Sequence, residues 1–174
     1  SNTGVGYAAL GALTSGNRNT AVGKDAFIAL TTGQYNVAIG YDAGTALVGG
    51  THNVIIGDSA GIATTTVDKA VIIGQAAGGG VLTADADGTI AIGVEAGNSL
   101  TSGQKNVAIG FEAQKAQTTG DRNTVIGYSA MQAADGGEDF NTVIGSEAGY
   151  GINNDASHDN VIIGKNALQG GTGT

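Results

Sequence analysis

The chain contains no cysteine and no proline. Without cysteine, disulfide bonds contribute nothing to its stability, and the sequence leaves the redox compartment open. Glycine is abundant, at 32 of 174 residues, but it follows no three-residue period. The lack of proline and of that period excludes a collagen-like chain, so we interpret the glycines as turn residues.

Aromatic residues, basic residues and long apolar runs are also scarce. Aromatics make up 5% of the chain, so burial has to come from repeated Val, Ile, Leu and Ala. The seven Lys and Arg residues are scattered singly against 15 Asp and Glu, which argues against a nucleic-acid partner. No run of about 18 apolar residues occurs, so we expect no membrane insertion in this segment.

The sequence instead contains ten copies of one short motif. Each copy closes an apolar triplet with a glycine, here called the marker glycine, and the steps between marker glycines are 17, 17, 17, 17, 19, 17, 17, 18 and 19 residues. A period near 17 is shorter than helical repeat units and is typical of stacked β-structure. The marker glycines are Gly6, Gly23, Gly40, Gly57, Gly74, Gly93, Gly110, Gly127, Gly145 and Gly164.

These repeats predict an all-β fold, a parallel β-solenoid of about ten rungs. We expect one repeat domain over residues 1–174. Because the chain begins and ends inside a repeat, we interpret it as a fragment of a longer fibrous protein.

The residues before each marker glycine favour a strand with two apolar faces. Side chains alternate along a strand, so Val37 and Ile39 share one face, which we assign to the interior of the coil, and Asn36 and Ala38 share the other. A strand that is apolar on both faces is normally covered on both. We therefore predict a homotrimer around an axis parallel to the solenoid, with its interface at Ala21, Ala38, Ile55, Ile72, Ala91, Ala108, Val125, Val143 and Ile162.

Two other columns are nearly invariant. Asn stands four residues before the marker glycine in eight of ten copies, and we expect these side-chain amides to form a ladder. Ala stands three residues after the marker glycine in all ten copies, at a corner where we expect room for a methyl group only.

The phrases "NVAIGYDAG" (36–44) and "NVAIGFEAQ" (106–114) resemble the head repeat of YadA-type trimeric autotransporter adhesins, and "NTAVGKDAFIALTTGQYN" (19–36) also resembles repeats of phage tail fibres. The resemblance covers essentially the whole chain, although the unit here is longer. It implies a left-handed parallel β-roll, three chains around one axis and attachment to host surfaces.

Stacked carboxylates are the strongest candidates for chemistry. Asp25 and Asp42 occupy adjacent rungs two residues after the marker glycine, as do Glu95 and Glu112. Such pairs would lie about 5 Å apart, close to the spacing in retaining glycosidases. A repeating column offers no asymmetry to separate an acid from a base, so we predict no catalytic residues. With two histidines far apart in register and no cysteine, we predict no metal site and no cofactor.

The long steps between marker glycines are where we expect ligand contact, since extra residues leave a solenoid as loops. Each long step carries an acidic cluster. The candidate contacts are Asp85, Asp87, Asp135, Glu138, Asp139, Asp155, His158 and Asp159.

Taken together, the sequence predicts a non-catalytic structural and attachment segment of a trimeric fibre, on a bacterial cell surface or on a virion. Its partner would be a host cell-surface glycan or protein, and its localisation extracellular. The alternative is a glycan-degrading, tailspike-like enzyme that uses the stacked carboxylates.

Overall fold

The structure is a computed structural model that describes residues 1–134, 136–152 and 157–169. Its regular elements are ten short strands, each ending one residue before a marker glycine, and one 3-10 helix, Ala84–Ala86. The strands are β1 (Thr3–Val5), β2 (Thr20–Val22), β3 (Val37–Ile39), β4 (Val54–Ile56), β5 (Val71–Ile73), β6 (Ile90–Ile92), β7 (Val107–Ile109), β8 (Thr124–Ile126), β9 (Thr142–Ile144) and β10 (Val161–Ile163).

All ten strands form one parallel sheet in chain order, β1 to β10. The register keeps the sequence columns together, so that Val37 pairs with Val54 and Ile39 with Ile56. Each repeat therefore adds one rung, numbered here after its strand. The predicted all-β solenoid with a repeat near 17 residues is confirmed.

Backbone hydrogen bonds link successive rungs outside the strands as well. The Asp25 N–H donates to Tyr7 O at 2.8 Å, and the Tyr35 N–H donates to Asn17 O at 3.1 Å. Because the bonding continues past both ends of the strand, the corners are stacked as regularly as the sheet itself.

The marker glycines are required by this stacking. Gly40 has φ 138°, and a Cβ added there would lie 2.4 Å from the carbonyl oxygen of Gly57 in the next rung. No side chain fits that distance, and L-residues avoid that backbone conformation. The glycine thus allows two rungs to approach at the corner.

The Asn column forms the predicted ladder inside the coil. Asn36 Oδ1 accepts hydrogen bonds from the Asn53 N–H at 2.9 Å and from Asn53 Nδ2 at 3.0 Å. Asn36 Nδ2 donates to Gly50 O at 2.7 Å, which ties the start of the strand to the opposite wall. These amides are buried and fully used, as buried polar groups must be.

The ladder also decides which way the strand faces, and it reverses our sequence assignment. Since Asn36 points inward and strand side chains alternate, Ala38 points inward too, whereas Val37 and Ile39 point outward. The nine residues predicted at the trimer interface are therefore inside their own chain and are not at its surface: Ala21, Ala38, Ile55, Ile72, Ala91, Ala108, Val125 and Val143 are fully buried, and Ile162 is 7% exposed.

In some rungs the volume of two neighbouring interior positions is complementary. Where the middle strand residue is Ala21, the coil holds Phe27, and Ile55 instead lies against Gly61, whose added Cβ would lie 3.3 Å from Ile55 Cδ1. The invariant Ala column is fully buried in rungs 2 to 9, at Ala26, Ala43, Ala60, Ala77, Ala96, Ala113, Ala130 and Ala148, as predicted.

Candidate functional site: the outer strand surface and its two edges

The outward side of the sheet is apolar and open to solvent. It consists of the first and third residues of every strand, all of them Val, Ile or Thr, and we call it the strand face. Ile39 is 40% exposed in the middle of the array, and Ile163 is 64% exposed in the last rung. A continuous apolar surface of this kind marks an interaction site in a soluble protein.

Two columns of mostly exposed residues border the strand face. One precedes the buried Asn, five residues before the marker glycine, and we call it the Asn-side edge. Its members are Arg18, Tyr35, His52, Lys69, Gly88, Lys105, Arg122, Phe140 and Asp159. The other follows the marker glycine directly, and we call it the Gly-side edge: Tyr7, Lys24, Tyr41, Asp58, Gln75, Val94, Phe111, Tyr128, Ser146 and Lys165.

Side chains within the Asn-side edge stack from rung to rung. The Arg18 guanidinium lies 4.9 Å from the centre of the Tyr35 ring and bonds its hydroxyl, and Tyr35 stacks on His52 at 4.7 Å. Arg122 lies 5.3 Å from the centre of the Phe140 ring. These residues hold a left-handed backbone conformation, with φ 59° at Tyr35, which places them at a sharp corner.

The Gly-side edge stacks in the same way. Lys24 Nζ lies 4.9 Å from the centre of the Tyr41 ring and 6.0 Å from that of Tyr7. Phe111 and Tyr128 stack at 5.4 Å. Seven of the eight aromatic side chains are exposed and only Phe27 is buried, so this protein places its aromatic residues on the surface and not in its core.

The stacked carboxylates are held by hydrogen bonds within the chain. Lys24 Nζ pairs with Asp25 at 2.5 Å, and Lys115 Nζ pairs with Glu112 at 2.7 Å and also with Glu95. Hydrogen bonds to Glu112 and then Glu95 raise the pKa of Lys115 above its usual value. Glu147 accepts a hydrogen bond from Gln169 Nε2 at 2.6 Å. Glu95 and Glu147 thus help to join neighbouring rungs, whereas Asp25 pairs with its neighbour in the chain.

Seven of the eight predicted ligand contacts fall into three groups. Asp85, on the 3-10 helix, and His158 and Asp159 are exposed, whereas Asp135 and Asp155 lie outside the described residues. Asp87 and Asp139 are half-buried, and each accepts a backbone N–H at 2.7 Å, from Asp68 and Asp121 respectively. A surface ligand can therefore reach the first group directly, while the carboxylates of Asp87 and Asp139 already serve the backbone.

Glu138 lies inside the coil and is not a surface contact. It is fully buried beside Gln117, whose Nε2 donates to Glu138 O at 2.7 Å and to Oε2 at 3.3 Å. Gln114 and Gln117 replace the glycine and leucine found at these positions in rung 3, so the coil is polar here and accommodates a carboxylate. Sequence reasoning placed Glu138 in a loop because the step is one residue longer than the period.

Sequence reasoning missed both edges of the strand face. The Lys and Arg residues are scattered along the chain, but four of the seven, Arg18, Lys69, Lys105 and Arg122, occupy one column of the coil. Aligning all ten repeats at the fifth position before the marker glycine would have found this column.

Comparisons of the chain with family models, with curated proteins and with solved structures gave no match. Within the described ranges, no three His, Asp or Glu side chains come together as metal ligands could, and no concave pocket forms. None of the described residues belongs to a helix long and apolar enough to cross a membrane. The outer strand surface with its two edges is therefore the principal candidate site.

Proposed function

We propose that this chain is a segment of a trimeric surface fibre that reaches outward and attaches to a host surface, without catalytic turnover. The observation that carries the proposal is the exposed strand face. Its ten rungs, stacked at about 4.8 Å, span roughly 48 Å, and three residues add roughly 10 Å of width, so the face covers about 500 Å². A patch of about 500 Å² is in the range of the largest apolar patch on a typical monomer, and such patches are often functional.

The partner we propose for the strand face is the same chain. A solenoid with one apolar outer side buries that side most simply when identical coils surround a common axis. The resemblance to YadA-type head repeats and to phage tail-fibre repeats supports three chains, a left-handed roll and an extracellular location. The strand is apolar on both faces, and the outward residues that a partner would cover are Val37 and Ile39 instead of Ala38.

Mass in solution tests the assembly. Light scattering should give three times the mass of one chain, and Ile73→Asp should give one chain mass, because carboxylates would meet on a dry axis. Ile73 is half-buried on the strand face. Thr66→Asp adds the same charge to an exposed position beyond the opposite wall and should remain trimeric. A parent protein that stays monomeric would contradict the proposal.

We place host contact, with a glycan or a protein, at the exposed parts of the long steps. Shortening 79–86 to the regular length removes Asp85 and should reduce adhesion to host cells while the mass stays at three chains. Each loop occurs three times at one height in a trimer, so weak contacts would be multiplied. Full adhesion by a protein with all three long steps shortened would move the contact elsewhere on the fibre.

Glycan cleavage by the stacked carboxylates is the alternative function. Glu95 and Glu112 bond one ammonium group, that of Lys115, which supports a structural role for both. A retaining glycosidase needs one carboxylic acid and one carboxylate in different environments. Incubation with bacterial capsule separates the two functions, because an attachment fibre leaves glycan length unchanged and an enzyme shortens it.

A further inference from the structure

The two edges of the strand face carry chemically complementary side chains in several rungs. We infer that neighbouring copies of this chain meet with the Asn-side edge of one copy against the Gly-side edge of the next, in the same rung. This inference rests on the proposed assembly and adds the pairing that fixes its register. We call this edge-to-edge contact the seam.

Rung 10 gives the clearest sign of this pairing. It is the one rung whose Asn-side edge is acidic, at Asp159, and its Gly-side edge is basic, at Lys165. The two residues are six positions apart across an extended strand, roughly 15–20 Å, too far for an ion pair within one chain. Both are exposed, and neither has an ion-pair partner among the described residues. Their complementarity is useful only between copies.

Rungs 4 and 7 place a nitrogen-bearing side chain on the Asn-side edge and an acidic or aromatic one on the Gly-side edge. In rung 4, His52 stands on the Asn-side edge and Asp58 on the Gly-side edge. In rung 7, Lys105 would face the exposed ring of Phe111. A hydrogen bond between His52 and Asp58 and a cation–π contact between Lys105 and Phe111 would both favour this arrangement.

Rungs with an aromatic or small residue fit the same arrangement. Arg122 would meet Tyr128 in rung 8, and Gly88 would leave room for Val94 in rung 6. Rung 2 is the exception, because Arg18 would meet Lys24. There the pairing of Lys24 with Asp25 inside the chain, at 2.5 Å, offsets the repulsion.

The surface of each chain is shared between two such contacts. Including both edges about doubles the width of the strand face, which brings the area to about 1,000 Å² per chain, and the two contacts together exceed the roughly 800 Å² that one partner contributes to a standard interface. Because the two edges differ, the contact is head-to-tail around the ring and closes by rotation about an axis along the fibre. All copies then run parallel. In an antiparallel pair, like edges would meet, rung 4 would face rung 7 and rung 10 would face rung 1, which separates Asp159 from Lys165.

Cross-linking tests the pairing directly, because the parent chain has no cysteine. Lys69→Cys combined with Gln75→Cys places thiols on the two exposed edges of rung 5. A short bis-maleimide linker should join three chains covalently on a denaturing gel. Lys69→Cys with Lys165→Cys, five rungs apart, should stay unlinked. Efficient linkage between chains through His52→Cys with Lys105→Cys, an exposed Asn-side pair from rungs 4 and 7 that is three rungs apart within one chain, would show antiparallel contact and overturn the inference.

Charge reversal in rung 10 provides an independent test. Asp159→Lys should weaken the association of neighbouring chains at least threefold at each seam, an effect in the upper range for an exposed ion pair. Adding Lys165→Asp should restore the association. Asp85→Lys makes the same charge change on an exposed residue away from both edges and should leave the association between chains unchanged. A trimer without rung-5 linkage overturns the seam and leaves the fibre proposal intact, whereas a monomer in light scattering overturns both.

Discussion

Rungs 2 to 4 and rungs 7 to 9 stack the same backbone around different interiors. In rungs 2 to 4 the space between sheet and opposite wall is filled mainly by apolar groups such as Phe27, Leu30 and Leu47, with Thr64 in rung 4. In rungs 7 to 9 Gln114, Gln117 and Glu138 occupy part of that space, and the apolar interior divides into two clusters. Both regions keep their strands, marker glycines and Asn ladder, so the contents of the coil can change while its backbone does not.

The backbone of a rung is therefore determined mainly by the marker glycines at its corners and by the Asn ladder. The cation–π and stacked-ring contacts on the two edges also occur in both regions, at Arg18–Tyr35 and at Arg122–Phe140. What differs is the chemistry enclosed: one region depends on apolar burial and the other partly on buried hydrogen bonds. Substitutions at the corners, in the ladder and in the interior should separate the features that the two regions share from those that differ, and their expected effects decrease in that order.

Replacing a marker glycine should be the most damaging change, and equally so in both regions. At Gly40 and Gly127 an added Cβ would lie 2.4 and 2.3 Å from the next rung's carbonyl oxygen, and φ is 138° and 143°. Gly40→Ala and Gly127→Ala should each lower the free energy of unfolding by about 3 kcal/mol or more, measured by denaturant titration.

Gly49→Ala is the matched control, because an added Cβ there lies 3.5 Å from Thr32 Oγ1, in ordinary contact. It should change stability by less than about 0.5 kcal/mol. Unequal losses at Gly40 and Gly127 would mean that the interior, and not the corner, determines the cost.

Removing a ladder amide should separate the two regions. Asn36→Ala leaves Gly50 O without its donor and Asn53 without its acceptor, which should cost about 2–4 kcal/mol. Asn123→Ala should cost about 1 kcal/mol less, because Gln117 Nε2 also donates to Glu138 O at 2.7 Å and keeps that carbonyl satisfied. Denaturant unfolding of both variants, with the exposed amide variant Gln75→Ala as control, makes the measurement. Equal losses would show that the glutamines do not support the ladder.

Much of this architecture could be predicted from the sequence, because repetition turns weak local signals into columns. The ten rungs, the buried Ala column and the Asn ladder all followed from spacing alone. The direction of the strand did not, since both of its faces are apolar and alternation alone cannot say which is inside. Asn36 was the residue that could have settled it: an amide that closes a coil has to point inward, and Ala38 then points inward with it.

The edges of the strand face and the polar interior were missed for different reasons. Tyr35 and Arg122 adopt left-handed backbone conformations that are uncommon for residues other than glycine, so no local pattern pointed to a stacked column. Glu138 lies in a lengthened step, where a charged residue ordinarily belongs to a surface loop. Its burial depends on Gln117, more than 20 positions earlier, and only the three-dimensional stack brings the two together.

The smallest expected effect concerns Glu138 itself and defines the polar interior most sharply. Its Oε2 accepts two long bonds of 3.3 Å, from Gln117 Nε2 and the Gly136 N–H, while Oε1 has no hydrogen-bond partner in the described part of the chain. A carboxylate buried with so few donors carries a desolvation cost that a neutral amide avoids.

Glu138→Gln keeps the shape and an acceptor, so it should raise the free energy of unfolding by about 1 kcal/mol near neutral pH. Glu147→Gln, a half-buried carboxylate on the outside, should change it by less than about 0.5 kcal/mol. Destabilisation by Glu138→Gln alone would mean that the charge is needed inside the coil, and rungs 7 to 9 would then be stabilised by a charged network that rungs 2 to 4 lack.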